Sequence, residues 1–411
     1  MGSVTPPSRA GTILLAVVVG IAGVAIAVVS LGANSYGHVA GSIPYAGQIS
    51  APTDLAYDSN NGNLYASQAG SNNVSVMSTA SGRTIDEIPV QPPQPGPIPG
   101  QGTTNSIAVD PEDHAVFVSS PWNITVIDDR TNAVETRIGD VGVMALVYDS
   151  IDDEVFAHQA SDVTVINGST DQVVTSIPVG GTNASWSPMV FDPVQDQVLV
   201  GTWGPEGCSQ NCSPNPIVII DARSNTIVGS FTTPSFPAGL AVDPDNNNLY
   251  VASGFYVDPS APGEVSVYSL VDDRLLKNIP TDPSAIGNRP IAFDPVNGYI
   301  YAATSTGQYG NNLTVIDGAT NTLAGTIRLP SEDEAIAVDP ADGQVYVGTW
   351  GSQGVTIVSS EPAFAGLLEW QALLIFALGV PAAVAAASLG AIRQLRRTAV
   401  YLGPGTKNKR A

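Results

Sequence analysis

The chain has 411 residues, 37 acidic and 15 basic, for a formal net charge of −22 at pH 7 with only 13% charged residues. So acidic a chain, with no basic face, argues against phosphate-backbone binding, which depends on Lys and Arg clusters, and no nucleic-acid partner is expected. A hydrophobic fraction of 43% excludes a disordered acidic protein, and two cysteines exclude a disulfide-dense scaffold or a four-cysteine zinc site.

In chain order, residues 1–11 form a short N-terminus with one basic side chain, Arg9. Residues 12–32, TILLAVVVGIAGVAIAVVSLG, are apolar and uncharged. At about 1.5 Å per helical residue they span the roughly 30 Å of a bilayer core, which predicts a transmembrane helix. The alternative is a cleaved signal peptide, whose apolar region is shorter, about 7–15 residues, and whose start is more basic. HVAGSIPYAG (38–47) reads as a lone strand.

One phrase then recurs seven times: an apolar strand ending in Asp, a tight polar turn, and a second strand. The instances are LAYDSNNGNLYAS, IAVDPEDHAVFVS, LVYDSIDDEVFAH, MVFDPVQDQVLVG, LAVDPDNNNLYVA, IAFDPVNGYIYAA and IAVDPADGQVYVG. Their strand-ending residues are Asp58, Asp110, Asp149, Asp192, Asp243, Asp294 and Asp339. A third strand such as ITVID or IVIID follows, and in six units a fourth such as VVTSIPVG. Four short strands per repeat of about 40–45 residues define a β-propeller blade. The seventh unit lacks a fourth strand, and HVAGSIPYAG resembles the fourth strands of the others. The prediction is an all-β, seven-bladed propeller over 36–361, with the N-terminal strand closing the last blade and leaving no exposed edge.

A second apolar run, WQALLIFALGVPAAVAAASLGAI, occupies 370–392 and predicts a second transmembrane helix. The tail, 393–411, has six basic and no acidic residues, so by the positive-inside rule it is cytoplasmic. Two spans put both termini on that side and the propeller outside the cell. Residues 33–363 hold 36 of the acidic and 8 of the basic side chains.

The repeats resemble those of the YVTN-family β-propellers of archaeal and bacterial surface proteins, on LYVASG, VYVGTW, LTVIDGATNTLAGTI and VTVINGSTDQVVTSIPVGG. The resemblance covers roughly 38–360. It implies a surface-layer, adhesive or binding role, although related propellers include enzymes and fold alone does not decide between them.

In a four-stranded meander, the connections entering a first strand and joining the second strand to the third share one face. Every long insertion falls there: 89–105, 179–188 and 280–290 of the first kind, 201–216, 253–264 and 304–312 of the second. The other face carries only short turns, and both predicted anchors leave from it. Long loops on a rigid scaffold are where binding is usually carried. Trp122, Trp186, Trp203, Tyr256, Tyr309 and Trp350 lie in or beside loops of that elaborated face and are the candidate partner-binding residues, with Arg289 at the channel mouth. The competing reading is that the aromatics fill gaps between blades.

Cys208 and Cys212 share one loop, and in an exported protein they predict a local disulfide. His38, His114 and His158 belong to different blades and do not form a metal-binding set. The seven strand-ending aspartates read as turn caps, with Ca²⁺ ligation as the alternative. Glu332, Asp333 and Glu334 form the weak cation candidate. N-x-S/T sequons at Asn73, Asn123, Asn167, Asn183, Asn211 and Asn312 are glycosylation candidates. No cofactor is expected. The expected function is a membrane-anchored, cell-surface scaffold, non-enzymatic, for a protein or glycan partner. The alternative is an exported lyase, hydrolase or quinoprotein-like oxidoreductase using the central channel.

Overall fold

Period-two alternation of Val, Ile, Leu and Tyr, cut every few residues by Asp, Asn, Gly or Pro, leaves the backbone one economical solution, the antiparallel meander. The computed structural model describes residues 36–45, 52–68, 72–90, 106–120, 122–139, 145–159, 161–180, 188–202, 215–234, 236–253, 263–281, 287–305, 311–331, 333–349 and 354–359. At 215, 287–289, 304–305 and 333–334 only the backbone is described. The two apolar runs, 12–32 and 370–392, lie outside these residues. No helix among the described residues is long and apolar enough to cross a membrane.

The strands form seven four-stranded antiparallel sheets. Six are consecutive meanders: blade one at 52–89, two at 107–139, three at 145–178, four at 189–233, five at 237–280 and six at 287–328. Blade seven takes its first three strands from Asp333–Val338, Val345–Thr349 and Gly354–Ser359, and its fourth from His38–Pro44. The first strand of every blade touches the first strands of both neighbours, which closes the ring around a central channel.

The closing strand is a true fourth strand in its details. Each of the first six blades has a bulge between its third and fourth strands, for example between Val76 and Met77 and between Val165 and Ile166. Blade seven repeats it, with the register shifting between Val39 and Gly41. Such bulges increase the local twist that lets flat sheets pack around a ring.

The core is distributed. Seven apolar clusters lie one to each seam between neighbouring blades, such as Phe117, Val126, Leu146 and Val155 between blades two and three. Ile43, Leu64, Met77 and Val355 form the seam between blades seven and one. The second strands contribute the largest fully buried rings, Tyr65, Phe117, Phe156, Tyr250, Tyr301 and Tyr346. Burying each such side chain contributes roughly 1.5–3 kcal/mol.

The short turns share one chemistry. In each first turn, one carboxylate oxygen of the strand-ending aspartate accepts a backbone N–H two residues on: Asn60 donates to Asp58 at 2.8 Å, Glu112 to Asp110 at 2.9 Å and Val296 to Asp294 at 2.8 Å. The turns close with a left-handed residue, which is His114, Asp153, Asp196 or Asn247 in blades two to five. Asn and Asp tolerate that conformation because their side chains bond locally. One oxygen of each repeated aspartate is therefore a turn cap.

Candidate functional site

Of the predicted binding residues, Trp122 and Arg289 fall among the described residues. Trp122 precedes the third strand of blade two, is 46% exposed, and its backbone N–H reaches Ser120 Oγ at 3.4 Å. Trp186, Trp203, Tyr256, Tyr309 and Trp350 lie outside the described residues, as do Cys208, Cys212, Asn183, Asn211 and Glu332. Arg289 lies in the first strand of blade six, and Asp333 and Glu334 open the first strand of blade seven. Asn73, Asn123 and Asn312 each open a third strand at the long-connection face. Asn167 ends a third strand at the opposite face, where its Oδ1 accepts from the Thr170 hydroxyl at 2.6 Å and caps the turn.

The histidines are separated, as the sequence predicts. His38 starts the closing strand, and His114 closes the first turn of blade two, with Nδ1 3.0 Å from Asp129. His158, in the second strand of blade three, is 1% exposed, and neither ring nitrogen has a hydrogen-bond partner among the described residues. Burial holds its pKa down at about 4.

In the first strand of blade one, sequence reasoning missed Asp54. It stands where the other first strands have Ser, Ala, Pro or Gly. Its carboxylate accepts from Leu55 N, Ile107 N and Ser106 Oγ, each at 2.9 Å. The Ser106 hydroxyl in turn accepts from Leu146 N at 3.1 Å, so one polar chain ties blades one, two and three. Burial pushes the Asp54 carboxyl up to about 6, against the pull of those donors.

On the short-turn face, two groups of three carboxylates converge across seams: Asp110, Asp113 and Asp153, and Asp149, Asp152 and Asp196. In each group one oxygen from every residue lies within 4.8 Å of the others. Burial, then the charges of Asp110 and Asp113, push the Asp153 carboxyl above its ordinary value. Burial likewise raises Asp149 and Asp196. Sequence reading placed its cation candidate at 332–334 instead. Aligning the seven first turns position by position is the signal that would have found these groups, because only the seams between blades two and three and between three and four line up three aspartates.

An open trough of about 550 Å³ lies on the outer wall between blades four and five, among Phe231, Thr233, Tyr268 and Leu275. Its rings of Phe231 and Tyr268 pack at 4.9 Å.

These features define a seven-bladed β-propeller of four-stranded blades, elaborated on one face and acidic at two seams of the other. No family model matches the chain, and no curated protein matches it. Among solved structures it is similar to a Kuenenia stuttgartiensis hydrazine synthase chain, at TM-score 0.62 and 12% identity, covering 77% of this chain and 97% of that one. It is also similar to the Myceliophteria thermophila Cps50 (Swd1) β-propeller domain, at TM-score 0.58 and 13% identity, covering 79% and 99%. One neighbour is an enzyme chain and the other a propeller domain, so the likeness carries the fold and no activity.

Proposed function

We propose that the chain is a non-enzymatic cell-surface propeller of the YVTN type, held to the membrane by its two apolar segments. Its long-connection face is turned outward to bind a protein or glycan partner, or to build a surface coat. The observation that carries this reading is the pairing of His38 with Ser359. The chain enters and leaves the ring side by side at the short-turn edge, on the side opposite the long connections and the exposed Trp122. Two tethers at one edge then present the other face, and aromatic residues on a rigid face are effective anchors.

Lys277 makes a clean test, because it is the only lysine between residues 33 and 363 and it is exposed. A membrane-impermeant amine reagent on intact cells is expected to label the wild-type chain and to spare Lys277→Arg. Equal labelling of both, or none of either, contradicts the outward propeller. Replacing Trp122, Trp186, Trp203 and Trp350 together by Ala is expected to abolish adhesion or partner capture while surface labelling at Lys277 persists. Unchanged capture removes the binding face. An absorbing cofactor or a turnover activity in the purified chain favours the enzyme reading instead.

A further inference from the structure

The seven short-turn seams solve one local problem in different ways. At each, the aspartate ending a first strand is buried. One oxygen caps its own turn, and the other is turned to the following blade. Oδ2 of Asp110, Asp243 and Asp294 comes within 2.8–2.9 Å of where a Cβ would stand on Gly168, Gly318 and Gly343 of the next blade. Two further positions belong to the seam: the residue three beyond the aspartate, and the left-handed turn residue of the next blade.

At four seams the first of these positions is an amide: Asn61, Gln195, Asn246 or Asn297. Three of these amides have bonds that consolidate the seam. Asn61 donates to the Asp129 carbonyl at 3.0 Å and Gln195 to the Leu270 carbonyl at 2.6 Å, both on the next blade. Asn246 donates to Asp243 Oδ2 at 2.8 Å. The seam between blades seven and one has Asp339 and Asp342, but its third position is Gly62, with no side chain to offer. Only the seams between blades two and three, and between three and four, put an aspartate at all three positions.

An aspartate at the amide position has no N–H to give. The seam loses its bridging donor and gains an anion. Oδ2 of Asp110 and of Asp149, on residues that are 0% exposed, has no hydrogen-bond partner among the described residues. Asp196 adds a buried orphaned Oδ1, while its Oδ2 takes Arg223 at 3.2 Å. An unpaired buried carboxylate oxygen is costly. Asp58, Asp192 and Asp294 carry orphaned oxygens too. Amide or glycine neighbours there supply no set of three anionic ligands, and beside Asp58 the second acid, Asp129, is occupied by His114.

We propose that these two seams are divalent-cation sites, each built from three aspartates of two adjacent blades, for a hard cation of the calcium class. The donors are all oxygen, as Ca²⁺ prefers. Ca²⁺ lies about 2.3–2.6 Å from its ligands, so oxygens across it stand about 5 Å apart at most. The observed limit of 4.8 Å meets that with little movement. In each group one aspartate is buried and one is exposed, which leaves a side open for ion entry and for water ligands. Bound there, the ion replaces the missing donor and ties blades two, three and four together.

The test uses the purified full-length chain, stripped with a chelator and titrated with CaCl₂ by calorimetry, against NaCl of matched ionic strength. Two sites with Kd of about 10⁻⁴–10⁻³ M are expected, in the range of extracellular modules. A rise of several degrees in Tm at 10 mM CaCl₂ is expected with them. The variant Asp113→Asn/Asp152→Asn installs at both seams the amide that this propeller uses elsewhere, so it retains the fold. It is expected to bind at least tenfold more weakly and to lose the calcium-dependent rise. A wild-type chain that responds no differently to CaCl₂ than to NaCl overturns the proposal. So does a double variant that keeps both sites.

Discussion

Deleting His38–Pro44 is expected to abolish the cooperative unfolding transition of the propeller and leave a protease-sensitive, self-associating chain. The strand pairs along its length with Gly354–Ser359. Ile43, 0% exposed, fills the seam between blades seven and one together with Tyr45. The Thr84 hydroxyl of blade one donates to the Pro44 carbonyl at 2.8 Å. The Tyr301 hydroxyl of blade six donates to the Tyr36 carbonyl at 3.2 Å, just ahead of the strand. One short segment therefore binds three blades. Loss of the Ile43 side chain alone costs about 2–5 kcal/mol in a core that cannot collapse. Domains hold only about 5–15 kcal/mol in total, and the deletion also bares an edge strand. Circular dichroism melts and limited proteolysis measure the result. Ile43→Asp in the complete chain, which places an unpaired charge in the same seam, is expected to act in the same direction. A deleted chain that melts at the wild-type Tm shows that six blades and three strands suffice.

The second large effect concerns acid. His158 has a folded pKa held down to about 4 by burial, against about 6.5 when unfolded. Between those values the unfolded chain binds the proton and the folded chain does not. The stability linked to this residue is present above pH 6.5, falls as pH drops through that window, and is fully lost near pH 4. The shift corresponds to about 3 kcal/mol. Asp54 and Asp58, both raised to about 6 mainly by burial, work oppositely. Their contribution is present at low pH and is lost as pH rises through 6. They are common to wild type and variant, so a difference cancels them. His158→Leu is thus expected to match or exceed wild-type stability at pH 7.5, because it removes two unpaired buried nitrogens. At pH 4 its advantage should grow by about 3 kcal/mol. Urea titrations of both chains at the two pH values test this, and a difference that does not change with pH removes it.

Most of the architecture was legible because it repeats. Seven aspartates from Asp58 to Asp339, each followed by a turn and a second strand, specified the blades and their number. HVAGSIPYAG was recognisable as a displaced fourth strand because its pattern matched its six counterparts. The turn role of the aspartates was also readable, since Asp followed by Pro or Ser has little else to do locally. The exposed ring of Trp122 lies at the end of the blade where the chain order put it.

The seams were not legible, for a physical reason. Asp110 and Asp153, 43 positions apart in the chain, meet only when two blades pack. Nothing local tells an aspartate at the third place of a turn that its neighbour across the seam is another acid. The same holds for Asp54, whose hydrogen bonds reach Ser106 and Ile107 of the next blade, and for His158, whose burial depends on what covers it. By itself the sequence determined the blade, the count and the closure, because strand periodicity and turn chemistry are local and repeat in register. Only the tertiary structure decided which charges face one another, because the electrostatics of a propeller belong to its seams and each seam joins two distant stretches of chain.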